Sequence, residues 1–207
     1  MKEYPKIETI LDRDEQTFKV IEGKWRLPEF AYLQTNQWMF TEKVDGTNVR
    51  VMWDGKTIKF GGRTDDAQMP TFLLAKLQEL FPATKFGEFT DPVCLYGEGY
   101  GARIQKGGGN YNPKGVDFIL FDVRIGEWWL KWEDVQDVAR RLEIRHVPVI
   151  RKGTLLEAVA LVRRGLQSQW GNFLAEGVVL RPTVDLATRH GDRLIGKLKG
   201  KDFGATP

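Results

Sequence analysis

The chain has 207 residues, 42% of them hydrophobic and 12% aromatic, which is ample for a buried core. No apolar run approaches the roughly 20 residues that a membrane-spanning helix needs, and Met1-Lys2-Glu3-Tyr4-Pro5 lacks the apolar stretch of a secretion signal. The 31 basic and 28 acidic residues leave a net charge of +3, so a nucleic-acid surface has to come from local clustering. The single cysteine, Cys94, lies in an apolar run and has no internal disulfide partner. A reducing, cytoplasmic setting is the expectation.

Residues 1 to 40 mix charge with isolated aromatics, broken by Pro5, Gly23 and Pro28, and read as short strands and loops. Trp38-Met39-Phe40 then leads into Lys43-Val44-Asp45-Gly46, followed by Thr47, Asn48 and the alternating Val49 and Val51. Asp-Gly between two β-prone runs predicts a tight hairpin turn. Lys43 and Asp45 would share a face of an extended chain. This stretch alone describes either a surface hairpin with a solvated lysine or a lysine nucleophile at the mouth of a sheet.

Val49 to Phe60 predicts a second hairpin about Asp54-Gly55, and Gly61-Gly62 sets Arg63 just beyond its end. Pro70 to Leu80 predicts a helix with an apolar stripe of Phe72, Leu73, Leu77 and Leu80 or Phe81. Val93 to Tyr96 is a short strand running into Gly97-Glu98-Gly99. Lys106 to Gly115 is rich in glycine and asparagine and reads as a mobile loop. It is not a phosphate-binding P-loop, since no Gly-Lys-Ser/Thr closes it. Phe118 to Val123 is a buried strand interrupted only by Asp122. Glu133 to Ile144 has acids in its first turn and Arg140 and Arg141 in its last, the charge order of a helix. After a strand at Val147 to Ile150, Thr154 and Glu157 have capping-box spacing for a helix reaching Arg164. Glu176 opens a strand through Arg181, and in Leu194 to Lys199 the residues Lys197 and Lys199 share one face. The pattern predicts one α+β domain over residues 1–207, with mixed, largely antiparallel β-sheets and flanking helices.

Five polar signals sit at strand ends or on strand faces: Lys43 with Asp45, Arg63, Glu98, Glu176, and Lys197 with Lys199. Each alone has an ordinary structural explanation. Together they suit a nucleoside triphosphate. A lysine nucleophile must be neutral, and lowering its pKa by about three units takes roughly 4 kcal/mol. Neighbouring cations do this by repulsion and also hold phosphate oxygens. Carboxylates can hold hydroxyls or a hard divalent metal.

In this order the residues resemble the covalent nucleotidyltransferase superfamily of polynucleotide ligases and mRNA capping enzymes. Lys43-Val44-Asp45-Gly46 resembles its nucleophile motif, Gly62-Arg63-Thr64 the short arginine motif, and Tyr96-Gly97-Glu98-Gly99 the third motif. Phe121-Asp122 resembles the aromatic-containing strand after it, Glu176 to Arg181 the fourth motif, and Ile195-Gly196-Lys197-Leu198-Lys199 the fifth. Asn48, and the separations from Lys43 to Arg63 and from Glu176 to Lys197, resemble the ATP-dependent RNA ligases of the duplex nick-sealing type. Asp45 is the DNA-ligase-like residue at its place.

The resemblance implies an ATP-grasp-like adenylation fold and the following roles. Lys43 attacks the α-phosphorus of ATP and carries AMP. Asp45, Glu176, Lys197 and Lys199 complete the catalytic set. Glu42, Asn48, Arg63, Glu98 and Phe121 bind nucleotide alongside the lysines, with Glu98 on the ribose and Phe121 on adenine or in the core. Glu176 and Asn48 hold Mg2+ or Mn2+. The substrate implied is RNA with 3′-OH and 5′-phosphate ends, in a nicked duplex, with weak contacts from Gln105 and Lys106. His146 and His190 match no motif and are read as structural. The chain ends shortly after Lys199, so the expectation is no additional C-terminal domain and either a minimal catalytic domain, a fragment, or a chain that relies on an accessory protein for RNA grip; a monomer is expected. The competing readings are a DNA ligase, a capping-type guanylyltransferase, or a nucleic-acid-binding module that kept the fold.

Overall fold

A computed structural model describes residues 2–204. Its elements in chain order begin with strands β1 (Glu8–Thr9), β2 (Leu11–Arg13) and β3 (Val20–Trp25), helix α1 (Pro28–Tyr32), and strands β4 (Trp38–Lys43), β5 (Thr47–Trp53) and β6 (Ile58–Gly61). Then come α2 (Thr71–Leu80), β7 (Val93–Gly101), α3 (Gly108–Tyr111), β8 (Val116–Ile125), β9 (Trp128–Trp129) and α4 (Trp132–Arg141). The rest are β10 (Arg145–His146), β11 (Val149–Gly153), α5 (Leu155–Arg163), β12 (Gly177–Pro182) and β13 (Gly196–Lys199). The class is the α+β arrangement of largely antiparallel sheets that the sequence predicts.

Contacts divide the chain into two units. One comprises Lys6–Val44 with the chain from Pro148 onward. Its sheet runs β1-β13-β12-β4-β11, antiparallel except for the β1–β13 pair. Phe30, Trp38, Phe40, Val178, Leu180 and Leu198 fill its core together with Leu155, Ala158 and Val162 of α5. Helix α5 starts where the capping box predicts: Glu157 N–H donates to Thr154 Oγ1 at 3.2 Å, and Thr154 N–H donates to the Glu157 carboxylate at 2.7 Å.

The other unit comprises Asp45–Val147 with the segment up to Pro5. Its sheet runs β10-β8-β7-β5-β6, with β9 paired to β8. Val49, Val51 and Trp53 alternate into a core with Leu73, Leu77, Phe118, Leu120 and Val135, so Asn48, Arg50 and Met52 occupy the opposite face of β5. In α2, Leu73 and Leu77 are buried as predicted, but Phe72 is 40% exposed and leaves the stripe.

Several expectations change. Asp45-Gly46 is not a hairpin turn. β4 pairs with β11 and β12, whereas β5 pairs with β6 and β7, so the turn carries the chain from one sheet to another. A tight-turn signal bends the chain without choosing strand partners. Asp54-Gly55 does close a hairpin: Asp54 Oδ1 accepts from Lys56 and Thr57 N–H, and Gly55 takes φ +97°. The first forty residues include the short helix α1 as well as strands and loops. The stretch Lys106 to Gly115 contains the helical turn α3 and is tied at its base, where Ala102 N–H reaches the carbonyls of Asn112 and Gly115 at 2.9 and 2.8 Å. Strand β8 carries a bulge. Tyr96 pairs with Asp122 and Gly97 with Leu120, leaving Phe121 as the extra residue. The bulge resets the alternation, which is why a continuous apolar run hides a change of face.

Candidate active site

The register of three strands gathers the lysines. On β12, Gly177 pairs with Lys43 of β4 on one side and with Lys199 of β13 on the other, and Val179 pairs with Thr41 and Lys197 in the same way. Lys43, Lys197 and Lys199 therefore share one face. Glu176, just before Gly177, closes the group. Its Oε2 accepts from Lys43 Nζ at 2.7 Å and its Oε1 from Lys199 Nζ at 2.5 Å. The three side chains are only 13–21% exposed. Gly177 makes room for this approach, since a Cβ there would lie 2.0 Å from the Leu198 carbonyl oxygen. Gly200 N–H donates to the Glu176 carbonyl at 2.9 Å and extends the ladder past the end of β13.

Burial alone would push the Glu176 carboxyl up. The adjacent Lys43 and Lys199 ammonium groups override it and hold the pKa below the usual carboxylate value. Burial and the repulsion of Lys199 and Lys43 lower the pKa of Lys197. The face is thus cation-rich around one permanent anion, a ready cradle for phosphate oxygens. Asp202, only 2% exposed, fixes its edge by accepting from Lys199 N–H at 3.0 Å and from Arg13 at 2.7 Å.

Glu176 offers one hard carboxylate. A magnesium-type ion is held by one or two carboxylates with water and ligand phosphates completing its shell. Among the described residues no group of three or more His, Cys, Asp or Glu forms a metal cage. The donor set fits an ion that arrives with a phosphate ligand.

Glu42 faces away from Lys43 along β4. Its buried carboxylate accepts from Ser168 Oγ at 2.6 Å and from Gln169 N–H at 2.8 Å, which ties the turn after α5 to the strand that ends in Lys43.

The remaining expected residues belong to the other unit. Asn48 of β5 pairs directly with Glu98 of β7. Both are half-buried. The glycines flanking Glu98 are explained by the core behind it: Cβ atoms at Gly97 and Gly99 would overlap the Phe118 ring and Leu73. Asn48 Oδ1 is buried without a hydrogen-bond partner. It adjoins a cavity of about 240 Å³ lined by Thr47, Asn48, Gly62, Arg63, Gln68 and Met69, among others. Asn48 and Arg63 therefore do come together. Asp45 accepts from Gly107 N–H at 2.9 Å. Phe121, half-buried, meets the Tyr4 ring edge-on at 5.0 Å. His146 is half-buried with its ring against Trp132, while His190 is exposed.

A sequence model of the RNA ligase family matches residues 36–199, a span that runs from just before β4 to the last lysine of the cluster. The chain belongs to the RNA ligase family. No curated protein matches it in sequence. Solved structures of Naegleria gruberi RNA ligase share its fold. A mutant in its apo form aligns with TM-score 0.69, a mutant with ATP and Mn with 0.68, and the ligase with PPi with 0.68, each at 19% identity and over 97% of this chain. The chain spans 58–62% of the length of those proteins.

Sequence reasoning does not single out Arg50. It alternates with core valines on β5, yet it is fully buried. Its Nε donates to the Gly62 carbonyl at 2.6 Å and its Nη2 to Asp65 at 2.6 Å, clamping the turn that carries Arg63. Gly61 leaves the space, since a Cβ there would sit 3.2 Å from Nη2.

Lys197→Met tests the electrostatics of the lysine face. A base whose folded-state pKa is depressed binds fewer protons folded than unfolded, so it costs stability below that pKa and the cost fades as pH rises toward its ordinary value of 10.5. Lys197→Met should melt at or above the wild type at neutral pH, and the difference should shrink as thermal melts are repeated at higher pH.

Proposed function

We propose that this chain is the adenylylating domain of an ATP-dependent RNA ligase. The observation that carries this reading is the Glu176 carboxylate set between Lys43 and Lys199, with Lys197 on the same face. A solvated surface lysine has no use for such surroundings. Naegleria gruberi RNA ligase is known with ATP and Mn and with PPi, as a step that consumes ATP and releases pyrophosphate leads one to expect.

In the first step Lys43 sheds its proton and its Nζ attacks the α-phosphorus of ATP. An N–P bond forms, the bond from that phosphorus to the bridging oxygen breaks, and pyrophosphate leaves. Lys197 and Lys199 neutralise charge on the phosphate oxygens as it shifts. Glu176 would hold Mg2+ or Mn2+, which supplies further charge neutralisation. Glu98 holds the ribose and Phe121 borders the base. Glu42 and Asp45 act as positioning residues through Ser168 and Gly107. In the second step an oxygen of the RNA 5′-phosphate attacks the same phosphorus, the P–N bond breaks and the lysine regains a proton. The 3′-hydroxyl then loses its proton, attacks the 5′-phosphate and releases AMP. The reading is of a cytoplasmic enzyme acting on nicked duplex RNA.

Incubation with ATP and magnesium, without nucleic acid, tests the first step. Intact mass should rise by one AMP in the wild type and not at all in Lys43→Ala. Label mapped to another lysine would overturn the assignment, and transfer from GTP instead would favour a capping-type guanylyltransferase.

The accepting end is the second test. Asn48 and Arg63 line one cavity, and the unpartnered Asn48 Oδ1 is suited to accept from a hydroxyl. The 2′-hydroxyl is what marks RNA at a given position, and leaving a polar partner unmatched costs about 1–3 kcal/mol. Two nicked duplexes differing only in ribose or deoxyribose at the 3′-OH end should seal at rates about tenfold to a hundredfold apart with pre-adenylylated protein. Equal rates would favour the DNA-ligase reading.

A further inference from the structure

One basic surface, of which the sequence expects only Gln105 and Lys106 to touch RNA, takes no part in the adenylylation chemistry. Residues 102–115 carry Arg103, Lys106 and Lys114 and no acidic residue, in a chain whose net charge is only +3. All three side chains are exposed. The segment is not slack. Beside the bonds from Ala102, Gly115 N–H donates to Asn112 Oδ1 at 3.1 Å, Ile104 is buried in the core, and Gly107 is held by Asp45. The cations are therefore displayed on a fixed frame, which reduces the ordering entropy that binding a polyanion would cost.

The backbone is constrained in an unusual way. Arg103 and Gln105 adopt φ +69° and +51°, a conformation that costs a non-glycine residue roughly 1–2 kcal/mol. With Ile104 buried between them, both side chains point outward. Strain of this kind persists only where surrounding structure imposes it, and it concentrates at working surfaces. Between Lys106 and Asn110 the chain has three glycines and hence no side chains, and the space beside Gly109 is open to at least 4 Å.

Three exposed cations on a fixed frame, with open space beside Gly109 while Gly107 and Gly108 face inward, suit a polyanionic backbone. Lysines meet phosphate oxygens as point charges and arginine as a fork, and such contacts hold a sugar–phosphate chain without reading its sequence. We infer that residues 102–115 form a sequence-independent grip for the RNA backbone, with Arg103, Lys106 and Lys114 each neutralising a phosphate. The inference rests on the RNA reading above and extends it to a surface outside the adenylylation chemistry. It also explains how a nearly neutral chain holds a polyanion, since the positive charge is concentrated locally.

The test is equilibrium binding of a labelled nicked RNA duplex over a range of salt, without ATP. Wild type is compared with Arg103→Gln/Lys106→Gln/Lys114→Gln and with a control of equal charge change, Lys56→Gln/Lys59→Gln/Lys131→Gln, whose residues are also exposed. Each phosphate contact contributes about 0.7–0.9 to the slope of log K against log salt. The segment variant should therefore lose about 2–3 in slope, and its Kd should rise at least tenfold at low salt, while the control stays near wild type. If the triple variant melts early, Lys106→Gln and Lys114→Gln alone should each lose one contact's worth of slope. A variant with the control's slope, or a wild type that does not bind RNA, overturns the inference. Because no ATP is present, the two readings fail separately. Binding through these cations without AMP uptake by Lys43 removes the ligase reading alone, and AMP uptake with binding indifferent to these cations removes the grip alone.

Discussion

The lysine face depends on one carboxylate. Glu176 lies between Lys43 and Lys199 at hydrogen-bond distance from both, with Lys197 on the same face. Three lysine ammonium groups held together without a counter-charge would repel one another in a largely buried setting, where water screens them poorly. With the carboxylate in place the group is tolerated, and the cost that remains falls on Lys197, whose charged form is disfavoured. The resting arrangement is therefore a held one, with the Lys43 amine fixed on the Glu176 carboxylate.

Backbone pairing makes the arrangement possible. β4 ends at Lys43, β12 starts at Gly177 and β13 ends at Lys199, and their register aligns these three residues in one row. A slip of one residue would send the lysines to the core face. Gly177 lets β12 approach β13 where a side chain would collide with the Leu198 carbonyl. Beyond the row, Asp202 and Arg13 brace Lys199, and Glu42 ties the 168–169 turn to β4. These polar contacts are largely buried and so are expensive to disturb.

Much of this was legible in the sequence because strand periodicity is local. Lys197 and Lys199 are two apart and had to share a face, whereas Gly97-Glu98-Gly99 read as the end of a strand that in fact runs on to Gly101. Helix α5 announced itself by the Thr154–Glu157 capping box. What was not legible depended on partners distant in sequence. Asp45-Gly46 looked like a hairpin because the turn signal is local, whereas the pairing of β4 with β11 and β12 is not. Arg50 was not singled out, because nothing nearby shows that Gly62 and Asp65 would fold over it. Phe121 changed its surroundings through a bulge, which an unbroken apolar run cannot reveal. Residues 106–115 looked mobile because the asparagine and glycine content is local, but Asp45 anchors them at Gly107.

The central claim is that Glu176 is a permanently charged bridge between two lysines, and its acid limb tests this most directly. A carboxylate whose folded-state pKa is depressed contributes stability that is present above its ordinary value of 4.5 and is lost as pH falls through the folded value. Thermal melts of wild type and Glu176→Gln should be compared from neutral pH downward. The account predicts that Glu176→Gln is less stable at neutral pH by about 1.5–3 kcal/mol and that the two proteins converge as pH falls below 4.5. Parallel curves with a constant difference, or equal stability at neutral pH, would contradict it.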